Sequence, residues 1–346
     1  MSDRSRSVLY VGGTGTISAS CVAASVDAGM RVTVLNRGLS SQVRPVPEGV
    51  NHLEADAGDA SAMREALRGK HFDAVVNVTV FNSGQADDAV KTFADVTDQY
   101  VHISTAAMYR KPVTSWPIVE STPTHNPFCL YAREKIGAER VFTDAHAASG
   151  FPVTIVRPSH TYDDARPPLP GDWAVVERIA RGEPVVVPGD GTSVWTVTHA
   201  EDFAVGLVGL LGNPASVGET FHITSDFFYT WDQIYRTIGE RLGKDVELVH
   251  VPSELIALAA PDWMWSELLT GDLSHSAIFD NTKIRRFVPA FAPRITFVEG
   301  TRRFLEWRDQ HPDLINADSE VDKITERVVR AHRQARDLFA AAAQTD

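Results

Sequence analysis

The amino-acid sequence predicts an α/β protein: a doubly wound parallel sheet with helices on both faces, followed by a smaller C-terminal lobe. Three observations predict it. Short β-branched runs alternate with helical stretches from residue 7 to about residue 159. The first of these runs ends in a glycine cluster that opens a helix. The chain of 346 residues also exceeds what a single hydrophobic core usually holds.

Strand-like runs fall at residues 8–11, 31–35, 50–54, 74–78, 100–103 and 153–157. Strands separated by helical stretches pair in parallel, and ligands of such sheets bind beyond the carboxyl ends of the strands. Residues 110–126 and 158–170 are rich in Pro, Ser and Thr and are expected to loop over that edge. Beyond them the pattern gives a helix near 173–181, a strand at 185–187, a turn at 188–191 and mixed elements to about 303. Apolar residues at helical spacing among many charges predict an amphipathic helix over 318–344.

Composition narrows the function. A net charge of −12 without a concentrated basic run argues against nucleic acid as a partner. No stretch reaches the length of a membrane span and the N-terminus carries no long apolar segment, so a cytoplasmic protein is expected. Two cysteines, Cys21 and Cys129, are too few for a disulfide framework or thiolate metal site and read as small hydrophobes. No metal site is expected, because no histidine pair has ligand spacing.

The run Val8-Leu-Tyr-Val-Gly-Gly-Thr-Gly-Thr-Ile-Ser18 places a strand, a glycine turn and a helix start in succession. Gly12 suits the tight turn, and Gly13 and Gly15 let backbone approach a pyrophosphate. Thr14, Thr16 and Ile17 complete the loop, and the helix N-terminus offers free N–H groups to the anion. A plain strand-to-helix turn would not need three glycines, which cost unfolded-state entropy. This is the context of a Rossmann dinucleotide fold, although Ser18 stands where a third helix-packing glycine is usual.

The second strand ends Asn36-Arg37-Gly38 without the acid that commonly receives the adenosine ribose. Asn36 can still bond a ribose hydroxyl, and Arg37 suits a 2′-phosphate, which tips the expected cofactor, NAD(P), towards NADP. A solvated turn arginine is the alternative. Asp56 is placed to meet the adenine or, alternatively, to cap the helix that follows.

Tyr131-Ala-Arg-Glu-Lys135 opens a helix and puts the phenol and the ammonium on one face, a turn apart. A phenol of pKa near 10 is a poor base at neutral pH, and an adjacent ammonium favours its phenolate. Tyr and Lys at this spacing are common on helices, but here the preceding strand delivers the Ser104 and Thr105 hydroxyls to the same sheet edge.

Gly-Gly-Thr-Gly near the start, Ser-Thr-Ala-Ala-Met-Tyr109 in the middle and Tyr131-Ala-Arg-Glu-Lys135 after it resemble the extended short-chain dehydrogenases, the NAD-dependent epimerase/dehydratase family. The resemblance spans roughly residues 7–303 and includes Arg157-Pro-Ser-His-Thr-Tyr162, Gly189-Asp-Gly-Thr192 and His199-Ala-Glu-Asp-Phe-Ala204. It implies that Thr105 bonds the reacting oxygen with Ser104 in reserve, that Tyr131 is the acid/base, and that Lys135 holds the nicotinamide ribose. Pro158 falls in the family's strand-to-loop segment and joins the cofactor set. It also implies a cofactor-binding domain mainly over 7–160 and a substrate-binding lobe mainly over 161–310, with some segments returning to the first core.

The family's dehydratases carry an Asp-Glu pair after the catalytic Thr, where this chain has Ala106 and Ala107, so elimination of water is not expected. Its nucleotide-sugar epimerases commonly clamp the diphosphate with arginines at places where this chain has Trp195 and His275, with Arg285 and Arg286 as the nearest substitutes. His160 and His199 are further candidate substrate contacts, or structural hydrogen-bonders. Trp195, Trp231, Trp263 and Trp265 are candidates to stack on a sugar or base, or to anchor the small lobe.

The leading expectation is an epimerase-like cycle at a hydroxyl of a sugar or sugar nucleotide through a transient ketone. Net NAD(P)H-dependent oxidation–reduction of a carbonyl is the alternative. A non-enzymatic RNA-binding or regulatory role, known among relatives of this fold, stands third, because the Tyr-Lys pair is intact and no basic face shows. The expected partners are a small-molecule substrate and a second copy of the chain in a homodimer, with no nucleic acid and no membrane.

Overall fold

The computed structural model describes residues 5–38 and 42–343. Its centre is a seven-stranded, all-parallel sheet. Six strands match the sequence expectation: β1 (Ser7–Val11), β2 (Arg31–Asn36), β3 (Asn51–Glu54), β4 (Ala74–Asn77), β5 (Tyr100–Ile103) and β6 (Val153–Pro158). They lie in the order β3-β2-β1-β4-β5-β6, and a seventh strand, Thr220–Ile223, pairs with β6 at the edge. The strand order reverses between β1 and β4, which opens a crevice at their carboxyl ends.

Helices α1 (Thr16–Asp27), α2 (Ala60–Ala66), α3 (Ser83–Phe93) and α4 (Leu130–Ser149) cover the sheet. Strands β1, β2, β4, β5 and β6 are buried on both faces, which is why they read as continuous apolar, largely β-branched runs rather than alternating ones, whereas the edge strand β3 is largely exposed. On one face Cys21 and Val22 of α1 join Phe203, Ala204 and Leu207 of the helix Ala200–Leu210 in a single apolar core. On the other face Ala86 and Phe93 of α3 meet Ala138 and Phe142 of α4.

The sequence expectation did not contain the seventh strand. Thr-Phe-His-Ile is a short run, and its partner β6 lies more than sixty residues earlier. Gln99 secures the return: its amide donates to Ser216 Oγ (2.8 Å) and Thr154 Oγ1 (3.0 Å), and its Oε1 accepts from the Gly212 N–H (2.7 Å).

Most of the remaining elements pack as a second body with its own core, while Ile284 of the helix Thr282–Phe287 and Val288 after it return to the first core. Strand Val185–Pro188 pairs in parallel with Leu248–Val251, and His160–Tyr162 pairs with Val197–His199. Helices Asp172–Arg181, Trp231–Leu242, Ser253–Ala259 and Phe297–Gln310 enclose them. The C-terminal helix runs Ser319–Ala342, and residue 344 of its expected span lies outside the described residues. It buries Val321, Ile324, Val328 and Val329 against this core, each worth about 1.5–3 kcal/mol. Among the described residues no helix is long and apolar enough to cross a membrane.

Candidate active site

A cavity of about 390 Å³ opens at the carboxyl edge of the sheet, where the loops after β1, β5 and β6 meet the second body. Gly15, Thr16, Ile17 and Ser18 form one wall. Gly12, Gly13 and Thr14 are not part of that wall. Gly12 takes φ +85°, and a Cβ there would stand 2.8 Å from Val78 Cγ2; a Cβ on Gly13 would stand 2.7 Å from Val34 Cγ2. Both positions therefore require glycine so that the turn can pass close over β2 and the end of β4. Ser18 knits the loop together, its hydroxyl donating to the Gly12 carbonyl (2.7 Å) and accepting from the Gly15 N–H (2.9 Å). The residue that departs from the usual glycine thus fixes the loop's shape.

At the end of β2 the Asn36 Oδ1 accepts from the Gly38 N–H (2.9 Å) and bonds His52 Nε2 (2.6 Å), while Arg37 is exposed. Asp56 accepts from the Gly58 N–H (2.8 Å) in a local turn, and the cap of α2 is Asp59, which accepts from Ser61 and Ala62. The capping alternative for Asp56 is therefore corrected: the cap sits three residues later.

Thr105 and Tyr131 meet on the opposite wall. Strand β5 ends at Ile103 and its chain tightens into a single turn at Ala106–Met108, capped by the Thr105 hydroxyl, which accepts from the Ala107 N–H (3.1 Å). Tyr131 is the second residue of α4. Burial pushes its phenol up to about 12; its hydrogen bond with Thr105 opposes that shift, and the Asp272 carboxylate adds to it. The sequence reading expected a neighbouring ammonium and the cofactor's nicotinamide ring to favour the phenolate; in the protein alone, burial is the largest influence on this phenol and acts the other way. Lys135 is itself buried, which lowers its pKa to about 8, with Glu139 acting in the other direction. Its Nζ donates to the carbonyls of Val80 (2.6 Å) and Ile103 (2.8 Å). Ser104 and Pro158 also line the cavity, and the buried Ser104 hydroxyl has no hydrogen-bond partner among the described residues.

The expected substrate residues divide. Trp195 and His160 line the cavity together with Trp265, their rings edge-on or tilted at about 6 Å. Burial, with help from Arg166, lowers His160 to about 4, which leaves it neutral at physiological pH. Trp231 is wholly buried in the lobe, and Trp263 packs against the same core. His199 is not in the wall: it caps the helix Ala200–Leu210 and bonds Asp164 (2.9 Å). His275 is not in the wall either, and nor are Arg285, paired with Asp226, and Arg286.

Three charged wall residues had no sequence signal. Arg166 is held by Asp172 through two hydrogen bonds (3.0 and 3.1 Å), and Asp172 adopts φ +49°, a conformation that non-glycine residues seldom take. The third, Asp272, lies in a π-helical turn, Leu269–Leu273, and pairs with buried Lys111 (2.7 Å). It approaches Tyr131 only through tertiary packing.

The sequence model of the NAD dependent epimerase/dehydratase family matches residues 8–224, which span the glycine loop, Thr105, Tyr131 and Lys135. The chain belongs to that family. It is similar to the 2′-dehydrokanamycin reductase of Streptomyces kanamyceticus, 27% identical over 290 residues, which are 83% of this chain and 80% of that protein. In three dimensions it resembles an epimerase of Methanothermobacter thermautotrophicus, with TM-score 0.74 and 18% identity over 90% of this chain and 94% of the other. It also resembles a dTDP-glucose 4,6-dehydratase of Streptomyces venezuelae, with TM-score 0.70 and 22% identity over 89% of this chain and the whole of the other. The Rossmann architecture of this epimerase/dehydratase member is thus shared across nearly its full length.

Proposed function

We propose that this chain catalyses reversible hydride transfer at a secondary hydroxyl of a sugar-like substrate, in an epimerase-like cycle through a ketone. The observation that carries the reading is that Thr105 and Tyr131, with Lys135 one helical turn on, line the same cavity as the glycine loop. The residues fit a nicotinamide dinucleotide: the bare backbone of Gly12 and Gly13 leaves no room for side chains, and Thr16 and Ile17 present the N-terminus of α1 to the cavity. Gly15, Thr16 and Ile17 would hold the pyrophosphate, Lys135 and Pro158 the nicotinamide half, and Asn36, Arg37 and Asp56 the adenosine end. NADP is the favoured form, because Arg37 and the missing acid suit a 2′-phosphate. When bound, the dinucleotide supplies the acceptor and donor of hydride.

Tyr131 takes the hydroxyl proton as the carbinol carbon is oxidised and returns it when that carbon is reduced from the opposite face. Thr105 holds the reacting oxygen, and Lys135 orients the ribose. Ala106 and Ala107 offer no acid or base for elimination, which argues against dehydration.

Net reduction of a ketone is the second reading. It is favoured by the reductase from Streptomyces kanamyceticus, whose likeness runs through most of the chain. Mass spectrometry of the nucleotide released from freshly purified, heat-denatured protein tests the two. The epimerase-like cycle is expected to retain oxidised dinucleotide. Protein that emerges without nucleotide and steadily consumes added NADPH would replace that reading with net reduction.

A further inference from the structure

The cavity wall combines aromatic rings, paired charges and a carboxylate, Asp272, that lines the same cavity as the reacting phenol. Asp272 is there because the π-helical turn Leu269–Leu273 is pinned from four sides. The Asn126 amide donates to the Gly271 carbonyl (2.8 Å) and to the Ala107 carbonyl (2.8 Å), which joins the turn to the segment after Thr105. The indoles of Trp195 and Trp231 both donate to the Leu273 carbonyl, each at 3.0 Å. Gly271 is pressed against Cys129 and Phe128, where a Cβ would stand 2.8 Å from Cys129 Cβ. Lys111 fixes one carboxylate oxygen at 2.7 Å, and the Asp272 side chain keeps 10% of its surface open. Widened helical turns of this kind recur at functional sites.

Among its lining residues the wall offers a diphosphate no uncommitted cation. Its one arginine, Arg166, is committed to Asp172, and Lys135 is committed to two carbonyls. Trp195, Trp265 and Phe279 supply apolar and aromatic faces, against which a sugar ring or an ammonium packs favourably. Ser104 contributes a buried hydroxyl that has no hydrogen-bond partner among the described residues. The net charge of −12 draws cations towards the protein and repels polyanions.

We propose that Asp272 is a substrate-binding carboxylate and that the substrate class is an amino-substituted, unphosphorylated sugar whose ammonium group meets Asp272 beside the hydroxyl handled by Tyr131. The proposal rests on the reading of this cavity as the substrate site. The ammonium bridges to the carboxylate already held by Lys111, a charge-assisted contact roughly twice as strong as a neutral hydrogen bond. The aromatic walls hold the ring.

Calorimetric titration of the cofactor-loaded protein with neamine, fully N-acetylated neamine and UDP-glucose tests it. Neamine is expected to bind at least about tenfold more tightly than its N-acetylated form, with UDP-glucose weakest. Changing Lys111→Met together with Asp272→Asn removes both charges and strands neither. That pair is expected to erase the preference for the free amine while leaving binding of added NADP intact. Equal or tighter binding of the acetylated form or of UDP-glucose, absence of neamine binding, or an unchanged preference in the doubly substituted protein would overturn the proposal. Tyr131→Phe separates it from the catalytic reading: the amine preference persists in that variant whether or not turnover is lost.

Discussion

Arg157 on β6 and Glu139 on α4 form a buried, two-pronged ion pair, with Nε to Oε1 at 2.9 Å and Nη2 to Oε2 at 2.5 Å. The remaining guanidinium nitrogen donates to the Tyr109 hydroxyl (2.9 Å), which also bonds His222 on the seventh strand. Glu139 lies one turn beyond Lys135 on α4, so this pair fixes the helix that carries Tyr131 to the strand beside β5. Glu139→Gln leaves a buried guanidinium without its counter-charge and is expected to destabilise the fold by about 3–5 kcal/mol. Chemical denaturation checks this, and a loss no larger than that of an exposed pair such as Arg68–Glu65 would contradict it.

Tyr131→Phe removes one hydroxyl from a packed site. Turnover is expected to fall by about 10²-fold or more, the usual scale of general acid–base catalysis, with the unfolding midpoint and the cofactor dissociation constant nearly unchanged. Near-normal turnover would remove Tyr131 from the acid/base role.

Arg37 is exposed at the end of β2 with no acid at Asn36 to compete for a ribose. Arg37→Ala is expected to weaken NADP much more than NAD, because only the 2′-phosphate offers the guanidinium an anion. Equal losses, read by fluorescence titration of the two cofactors, would end the NADP preference.

His160 gives a pH prediction. Burial lowers it to about 4 in the folded protein from its ordinary 6.5. Below pH 6.5 the unfolded chain therefore takes up a proton that the folded chain refuses, and stability falls as the pH drops from 6.5 towards 4. His160→Gln is expected to flatten that part of the acid limb. Urea midpoints at the two ends of the window report the difference, since His102 and His222, also lowered by burial, titrate alike in both proteins. Identical slopes would mean that His160 is not held neutral.

The sheet was legible because each strand and helix of its first half is specified locally. Runs such as Val32-Thr-Val-Leu and the Gly12–Gly15 cluster need no distant partner to be recognised. Thr220–Ile223 was not legible, because its place depends on Gln99 reaching Ser216 and Gly212 across the fold. The same division holds at the cavity. Tyr131 and Lys135 announce themselves by helical spacing, and Ser104 and Thr105 by ending a strand. Asp272 gives no such sign within Leu-Leu-Thr-Gly-Asp-Leu; it is set beside Tyr131 by Asn126, Trp195, Trp231 and Lys111, four residues scattered along the chain. His199 and His275 were candidates by residue type alone. A capping geometry fixes the first, and neither lies on the cavity wall.

Hydride transfer without net redox change is tested most directly by the reduced-nicotinamide absorbance of protein mixed with excess oxidised cofactor and a panel of free and amino-substituted sugars. The account predicts a rise that stops at or below one equivalent per chain and is reached about 10²-fold or more slowly in Tyr131→Phe. Continued accumulation of reduced cofactor beyond one equivalent, or an equally fast rise in Tyr131→Phe, would contradict it.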